Sequence, residues 1–472
     1  MKILPLQPTE HASSEALRAF LKQCQMAAVA DGQERLVSIS ITVDALDPLA
    51  VLESIYEPGH PHFYAEHPSD GTAIAGAEVA IKMEATGAER FQKLQSFANG
   101  AFDRTIAVGA VDAAFGGPHV FVAATFADEV EAGESFPPVS AFIPRWQVAR
   151  AGNVTTAVAN VPVTADADLD QLTERVWRAH RKFGKFSFGG MTNITSKHPT
   201  QFETKESGDY RASVTAALPR IDSGEFQKIV LARAIELTAD VSLHPLKVLD
   251  GLRERFPDCF SFSIANGEGE SFIGASPERL VRVSQGILEA DVLAGTIGRG
   301  RGAVEDAALG KQLQDSEKDQ HEHAVVLSSM IRRLTGLGLQ IDHANEPRLR
   351  KLANLQHLHT PVKAELPDGI SLLDALAVLH PTPAVGGSPR GPAVAAIREL
   401  EGFPRGLYAG ALGWMNARGG GEFMVGIRSA LVSGAQARVY AGAGIVEGST
   451  PEKEFAETEL KFHALLDALQ AL

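Results

Sequence analysis

Apolar positions along this chain fall into two kinds of register. Runs rich in β-branched and aromatic residues at 36–43 and 119–125 read as strands, and Phe115-Gly116-Gly117-Pro118 reads as a turn. In the second half, strand runs recur at short intervals: Lys228–Ile235, Cys259–Ala265, Phe272–Gly274 and Val292–Gly298, then a strand leading to Gln356-His357-Leu358. Three more follow at 406–416, 422–432 and 437–446. Helical spacing predicts an element of about fifteen residues starting near Asp168 and running through Trp177 and His180. It predicts a second over about 310–335, and a third that closes the chain, with Phe455, Phe462, Leu465, Leu466 and Leu469 on one face. Thr450 and Pro451 mark the start of that last helix, because proline suits the first helical position.

Punctuation between the runs sets the organisation. Ser276-Pro277-Glu278-Arg279 is a turn and Pro381–Pro392 is turn-rich. Asn193–Tyr210 is polar and poor in large apolar residues, which predicts a boundary or a long surface loop. The chain is therefore divided into an N-terminal region of mixed α and β, 1–205, packed into the same fold, and a C-terminal region, 206–472. Neighbouring strand runs near the C-terminus predict antiparallel pairing, so the fold class is α+β and not a regular βαβ winding. Gly298-Arg299-Gly300-Arg301-Gly302 lacks a following P-loop lysine and reads as a flexible surface loop.

The predicted helices carry the first chemical signal. On the last one, Glu454 and Glu457 lie three apart and Lys461 four further on, along an arc bordering the apolar face. Two like charges there are costly to hold beside a buried surface unless a cation joins them, which means a metal or a charge network; the plain alternative is a solvated acidic turn. The 310–335 run repeats the pattern. Asp319 and Glu322 are three apart, and Val325 and Val326 follow Glu322 on the apolar side. Two acidic pairs without thiolate favour Mg²⁺ or Ca²⁺ over zinc. His321 and His323 lack the i, i+4 spacing of a zinc-protease helix, and no Cys pair assists them.

Composition narrows the function class. The formal charge of −14 argues against general nucleic-acid or anionic-membrane binding, so an anionic substrate must be gathered by local Arg, Lys or metal. Cys24 and Cys259 fit no disulfide or metal framework, the N-terminus has no signal-peptide core, and no apolar run approaches a membrane span. A reducing, cytoplasmic setting is the expectation.

Taken together, these segments resemble the chorismate-utilising enzymes and, within them, the isochorismate synthases. The resemblance rests on Phe226–Arg233, Gly274–Leu280, Leu293-Ala294-Gly295-Thr296, Ser316–Asp319 with His321-Glu322-His323, and Gln356-His357-Leu358. It continues through His380–Gly387, Ile427-Arg428-Ser429 and Ala441–Val446, in order from about 215 to the C-terminus. The N-terminal part matches more loosely, through Asp47-Pro48-Leu49 and Phe115-Gly116-Gly117. The resemblance implies an anthranilate synthase component I-like fold of large, mostly antiparallel sheets with helices outside. It implies an Mg²⁺-dependent isomerase of the hydroxymutase type: water adds at C2 of chorismate and the C4 hydroxyl leaves.

Under the resemblance Lys228 falls at the general base and Glu278 at the general acid. Glu322 and Glu457 fall at the Mg²⁺ ligands, with Asp319 and Glu454 one helical turn earlier as supporting carboxylates. Tyr408, Arg428, Lys461 and the backbone at Gly442 and Gly444 fall where substrate carboxylates bind, and Gly295, Thr296, His357 and Ala384 along the pocket wall. Physical chemistry fits these roles. A lysine base must be neutral, and an otherwise apolar strand supplies desolvation; the plain reading of Lys228 is an edge-strand charge that discourages aggregation. Glu278 needs a raised pKa to act as an acid; its plain reading is an exposed turn carboxylate. Arg428, on a predicted strand, suits a bidentate carboxylate clamp, or else a cross-strand ion pair. Bare backbone at Gly442 and Gly444 lets N–H groups approach an anion.

Within the family, relatives that add ammonia carry Gln at the position of Lys228, and the aminodeoxychorismate branch has a lysine nucleophile where this chain has Ala294. Arg390 stands where several relatives have Lys. Salicylate synthases, which also eliminate pyruvate, share Lys228 and Glu278 but often have Thr at the position of Ala384. The resemblance implies a monomer without a glutamine amidotransferase subunit, and the pattern is common to menaquinone-type and siderophore-type enzymes.

Overall fold

A computed structural model describes residues 1–4, 13–183, 199 and 201–470. The strands join in one hydrogen-bonded network that is almost wholly antiparallel. Its parallel pairs lie at the N-terminal end, where Thr105–Gly109 takes Lys2–Leu4 on one side and Arg35–Val43 on the other. Helices pack outside, as the α+β reading expects. The halves of the sequence interleave: His62–His67 pairs with Phe260–Ala265, and His119–Ala124 pairs with Ala411–Asn416. One apolar core accordingly joins Phe63, Phe121 and Val122 to Leu280, Val326, Leu412 and Phe423. Cys24 and Cys259 are buried free thiols in two separate smaller apolar clusters, and no described helix is long and apolar enough to cross a membrane.

Most predicted elements are present, with instructive differences. The helix near Asp168 spans Leu169–Phe183, and Asp168 Oδ1 accepts from the amides of Asp170 and Gln171 at 3.0 Å. The acidic run is two helices, Ala303–Asp315 and Glu317–Thr335, because Ser316 leaves the helical conformation and its hydroxyl caps the second one. Of the polar stretch 193–210, residues 193–198 and 200 lie outside the described residues. Phe202–Ser207 is a strand on Ala234–Ala239, and Tyr210–Asp222 is a helix capped by Asp209. Edge pairing by a polar strand needs no apolar pattern, so composition hid it.

Two further expectations change. The 422–432 run is broken into Gly421–Val425 and Ser429–Ser433, and Arg428 sits in the break at φ 51° instead of on a strand. The Gly/Arg loop is pinned: Arg299 grips Asp306 through two nitrogens (2.6 and 3.1 Å) and donates to Leu352 O at 2.6 Å.

Candidate active site

The Lys228–Ala239 strand lies inside the sheet, paired along Ile229–Thr238 with Gln436–Ile445. Lys228 is therefore fully buried and is no edge-strand gatekeeper. Its Nζ lies 2.8 Å from Glu322 Oε1, a contact close in distance but poorly angled for hydrogen bonding. Burial works to raise the Glu322 carboxyl, but Lys228, helped by Lys318 and Lys461, outweighs it and holds Glu322 below the usual carboxylate range. Glu322 occupies this position because Val325, Val326 and Met330 bury the adjoining face of the Glu317–Thr335 helix.

The closing helix, Pro451–Gln470, brings the second acidic pair. Phe455 on it is sandwiched between the guanidinium groups of Arg211 and Arg233, 3.5 and 3.7 Å from the ring centroid, which fixes the helix against the sheet. Lys461 Nζ donates to Glu457 Oε1 at 2.7 Å and to Gly442 O at 2.9 Å. Glu454 is buried and accepts from Lys318 Nζ at 2.6 Å, linking the two acidic helices. Burial raises the Asp319 and Glu454 carboxyls, and the neighbouring carboxylates add to it: Glu322 and Glu457 for Asp319, Glu457 for Glu454.

Between these helices and the sheet is a cavity of about 660 Å³, counting the space at its mouth. Glu278, Gly295, Thr296, Glu322, His357, Ala384, Tyr408, Arg428, Gly442, Gly444, Glu457 and Lys461 all line it. Lys228 does not line it directly and meets it through Glu322, while Asp319 and Glu454 stand behind the wall.

Local backbone explains several of these placements. Gly295, at φ 76°, makes a bulge between Ala294 and Thr296, so Thr296 turns to meet His357 Nδ1 at 3.1 Å. A Cβ on Gly442 would lie 2.7 Å from the Tyr408 hydroxyl, and one on Gly444 would lie 2.3 Å from Glu322 Oε1. These glycines are needed because neighbouring side chains fill the space a Cβ would take, a stronger reason than bare backbone for an anion. Tyr408 is held in turn by stacking on Tyr440, ring centroids 5.0 Å apart.

Charge is distributed unevenly around the cavity. Glu278 is buried after the turn at Pro277; burial, with Asp291 adding to it, pushes its carboxyl up to about 8 against the opposing pull of Lys228. It is a neutral acid near pH 7. Arg428 is buried, donates to His357 Nε2 at 3.2 Å, and has no carboxylate partner among the described residues. Burial and then Arg428 hold the His357 imidazole well below its ordinary value, so it is neutral and accepts that hydrogen bond. A buried guanidinium with no directly paired carboxylate on a cavity wall is suited to receive an anion.

The donor set also fits a hard divalent cation. Glu322 and Glu457 offer oxygen from two helices, with Asp319 and Glu454 behind them. Among the described residues no group of three or more His, Cys, Asp or Glu is arranged to hold a metal by itself, so water or substrate oxygens would complete the shell. His321 is exposed while His323 is buried with Nε2 on the Thr360 hydroxyl at 2.8 Å, so the two do not converge as zinc ligands.

Sequence reasoning missed Glu401 and Arg405, a fully buried ion pair behind the cavity wall. Their i, i+4 spacing was visible, but the intervening Gly402-Phe403-Pro404 hid it.

The family model described as chorismate binding enzyme matches residues 19–470. The salicylate biosynthesis isochorismate synthase of Pseudomonas aeruginosa is 32% identical over 486 residues, covering 100% of this chain and 97% of that protein. Isochorismate synthase MenF of Bacillus subtilis is 30% identical over 450 residues, covering 92% and 93%. Among solved structures, the menaquinone-specific isochorismate synthase MenF of Escherichia coli superposes with a TM-score of 0.75 at 25% identity, covering 93% of this chain and 95% of that one. Anthranilate synthase component I of Streptococcus pneumoniae shares the fold, with a TM-score of 0.65 at 20% identity over 84% of this chain and 92% of that one. With the family matched over nearly its whole length, this chain is an enzyme belonging to the chorismate-binding enzymes.

Proposed function

We propose that the protein is an isochorismate synthase, converting chorismate to isochorismate by adding water at C2 and expelling the C4 hydroxyl. The observation that carries this reading is Glu278, a buried carboxyl that keeps its proton near pH 7 on the same cavity as Arg428, which has no directly paired carboxylate among the described residues. Arg428 and Lys461 bind substrate carboxylates, with Tyr408, Thr296 and the Gly442–Gly444 segment shaping their seats. Glu278 donates the proton that the C4 hydroxyl needs to leave as water. Lys228 Nζ, acting as a neutral amine, takes a proton from the attacking water; it ends the step one proton richer and Glu278 one poorer, and exchange with solvent restores both. The water consumed and the water released balance, so no ammonia source or partner subunit is required, and one chain supplies every named group.

Glu322 and Glu457 would hold Mg²⁺, supported by Asp319 and Glu454. When bound, the ion supplies positive charge to the ring carboxylate during the displacement. Ala384 leaves the wall without a hydroxyl where salicylate synthases often have threonine, which favours stopping at isochorismate.

The test is incubation of purified protein with chorismate, with and without Mg²⁺, following isochorismate, salicylate and pyruvate together. Isochorismate without pyruvate, only when Mg²⁺ is present, is the expected result. Salicylate with matching pyruvate would move the chain to the bifunctional branch, and binding without turnover would overturn the enzyme reading.

A further inference from the structure

The Lys228–Ala239 strand has an interrupted edge. On one side it pairs continuously with Gln436–Ile445. On the other, Gly387–Ser388 pairs only with Lys228 and Ile229, and Phe202–Ser207 only with Ala234–Ala239. Val230 to Arg233 lie between, facing no strand. Val230 N donates to Gly386 O at 2.9 Å, but the Val230 carbonyl and the Ala232 amide, on buried residues, still need partners.

Those partners are side chains. Glu401 Oε1 accepts from Ala232 N at 2.7 Å, and Arg405 Nη2 donates to Val230 O at 2.8 Å. Arg405 Nη1 donates to Val385 O at 2.8 Å, and Arg405 Nε closes the pair on Glu401 Oε2 at 2.8 Å. The two side chains are 3% and 1% exposed, and on the side away from the active site they border a second cavity lined by Phe126, Glu134 and Phe403. Val230 and Val385 both line the active-site cavity, as does Ala384 beside Val385. The Arg405 carbonyl also accepts from Tyr408 N at 2.9 Å, and its guanidinium lies 5.6 Å from the Tyr408 ring centroid.

We propose that the buried Glu401–Arg405 pair is a positioning device for the reaction, standing in for the missing strand and setting three parts of the cavity wall against one another. Those parts are the strand that carries Lys228, the turn that carries Ala384, and Tyr408. Only a planar fork can reach Val230 O, Val385 O and Glu401 at once; an ammonium on a flexible stem cannot. Neither side chain lines the active-site cavity, so their effect on turnover passes through the wall. This inference rests on the proposed isochorismate synthase reading for its kinetic readout only.

The experiment compares Arg405→Lys and Glu401→Gln with the unaltered protein by kinetics and by amide hydrogen exchange. Arg405→Lys keeps the charge and loses the fork; Glu401→Gln keeps an acceptor for Ala232 N and is the milder change. The expected result is faster exchange confined to 229–233 and 382–387, with protection in 36–43 unchanged. With it, kcat should fall roughly a hundredfold for Arg405→Lys and less for Glu401→Gln, the scale of a displacement of about 1 Å at a reacting centre. A KM change that is small beside the kcat change is part of the expectation. Unchanged local exchange, or exchange that rises uniformly with activity lost only in proportion to unfolding, would overturn the proposal. If the unaltered protein does not turn over chorismate, the functional reading fails while the exchange pattern still decides this one.

Discussion

The two acidic helices that face each other across the cavity neutralise their carboxylates in opposite ways. Glu457 is answered from its own helix by Lys461, one turn on, and its side chain keeps 24% of its surface exposed. Glu322 is answered from a different element: Lys228 comes from a central strand, and its side chain is fully buried. A local i, i+4 pair in partial contact with solvent is a weak bond that can open for a ligand. A buried cross-element pair holds structure as well as chemistry, because removing either partner strands a charge in low dielectric. The difference makes the Glu457 pair the easier one to open and gives the Glu322 pair a structural load beside its chemistry.

The largest effect should come from breaking the buried side. Lys228→Gln is expected to lower turnover by roughly a hundred- to ten-thousand-fold, and steady-state assay with chorismate checks it; near-normal turnover would remove Lys228 as the base. Lys228→Met should also cost about 3–5 kcal/mol in chemical denaturation, since it removes the direct partner of the buried Glu322 and leaves only the more distant Lys318 and Lys461. Most of that loss should return in the double substitution Lys228→Met with Glu322→Met, which makes both positions apolar. If the double variant is no better than the single one, the pair is not what couples strand and helix.

Glu278 sharpens the comparison through pH. Its carboxyl titrates near 4.5 when unfolded and about 8 when folded. Between those values the folded protein keeps a proton that the unfolded chain has lost. The contribution of Glu278 to stability is therefore complete below about 4.5 and declines as pH rises toward 8. Glu278→Gln should flatten that part of the stability profile while abolishing turnover. In the unaltered protein the rate should drop as pH passes about 8, where the acid loses its proton. An alkaline limb that stays level would assign the acid role elsewhere.

Smaller effects belong to the solvent-facing side. Glu457→Gln should shift the Mg²⁺ titration of activity to higher concentration while changing the denaturation midpoint little; an unshifted titration would count against Glu457 as a ligand. Lys461→Met should cost about 1 kcal/mol or less, far below Lys228→Met, because Glu457 retains water. Similar losses for the two lysines would erase the distinction between the two sides.

Much of the site was legible as sequence because helical periodicity fixes which residues share a face. The acidic pairs at 319/322 and 454/457 needed only their spacing and the adjoining apolar positions to be placed beside a buried surface. Strand segments around Lys228, Phe260 and Val292 were legible for the same reason, since apolar runs bounded by turns have few alternatives. Arg428 was misread as a strand residue because nothing in Gly426-Ile427-Arg428 announces a left-handed backbone at an arginine. The surrounding packing imposes that conformation, and it is what removes Arg428 from the sheet.

The chain by itself determined the α+β class, the mostly antiparallel pairing, the two acidic helix faces and the residue types that gather at the cavity. Tertiary structure decided which lysine answers which carboxylate, that Lys228 meets the cavity through Glu322, and that Gly442 and Gly444 make room for Tyr408 and Glu322. It also decided that Glu401 and Arg405 close the gap in the central sheet. The physical reason is range. Periodicity and capping act within a turn or two of the chain, whereas desolvation and unmet backbone hydrogen bonds depend on which distant segments exclude water together.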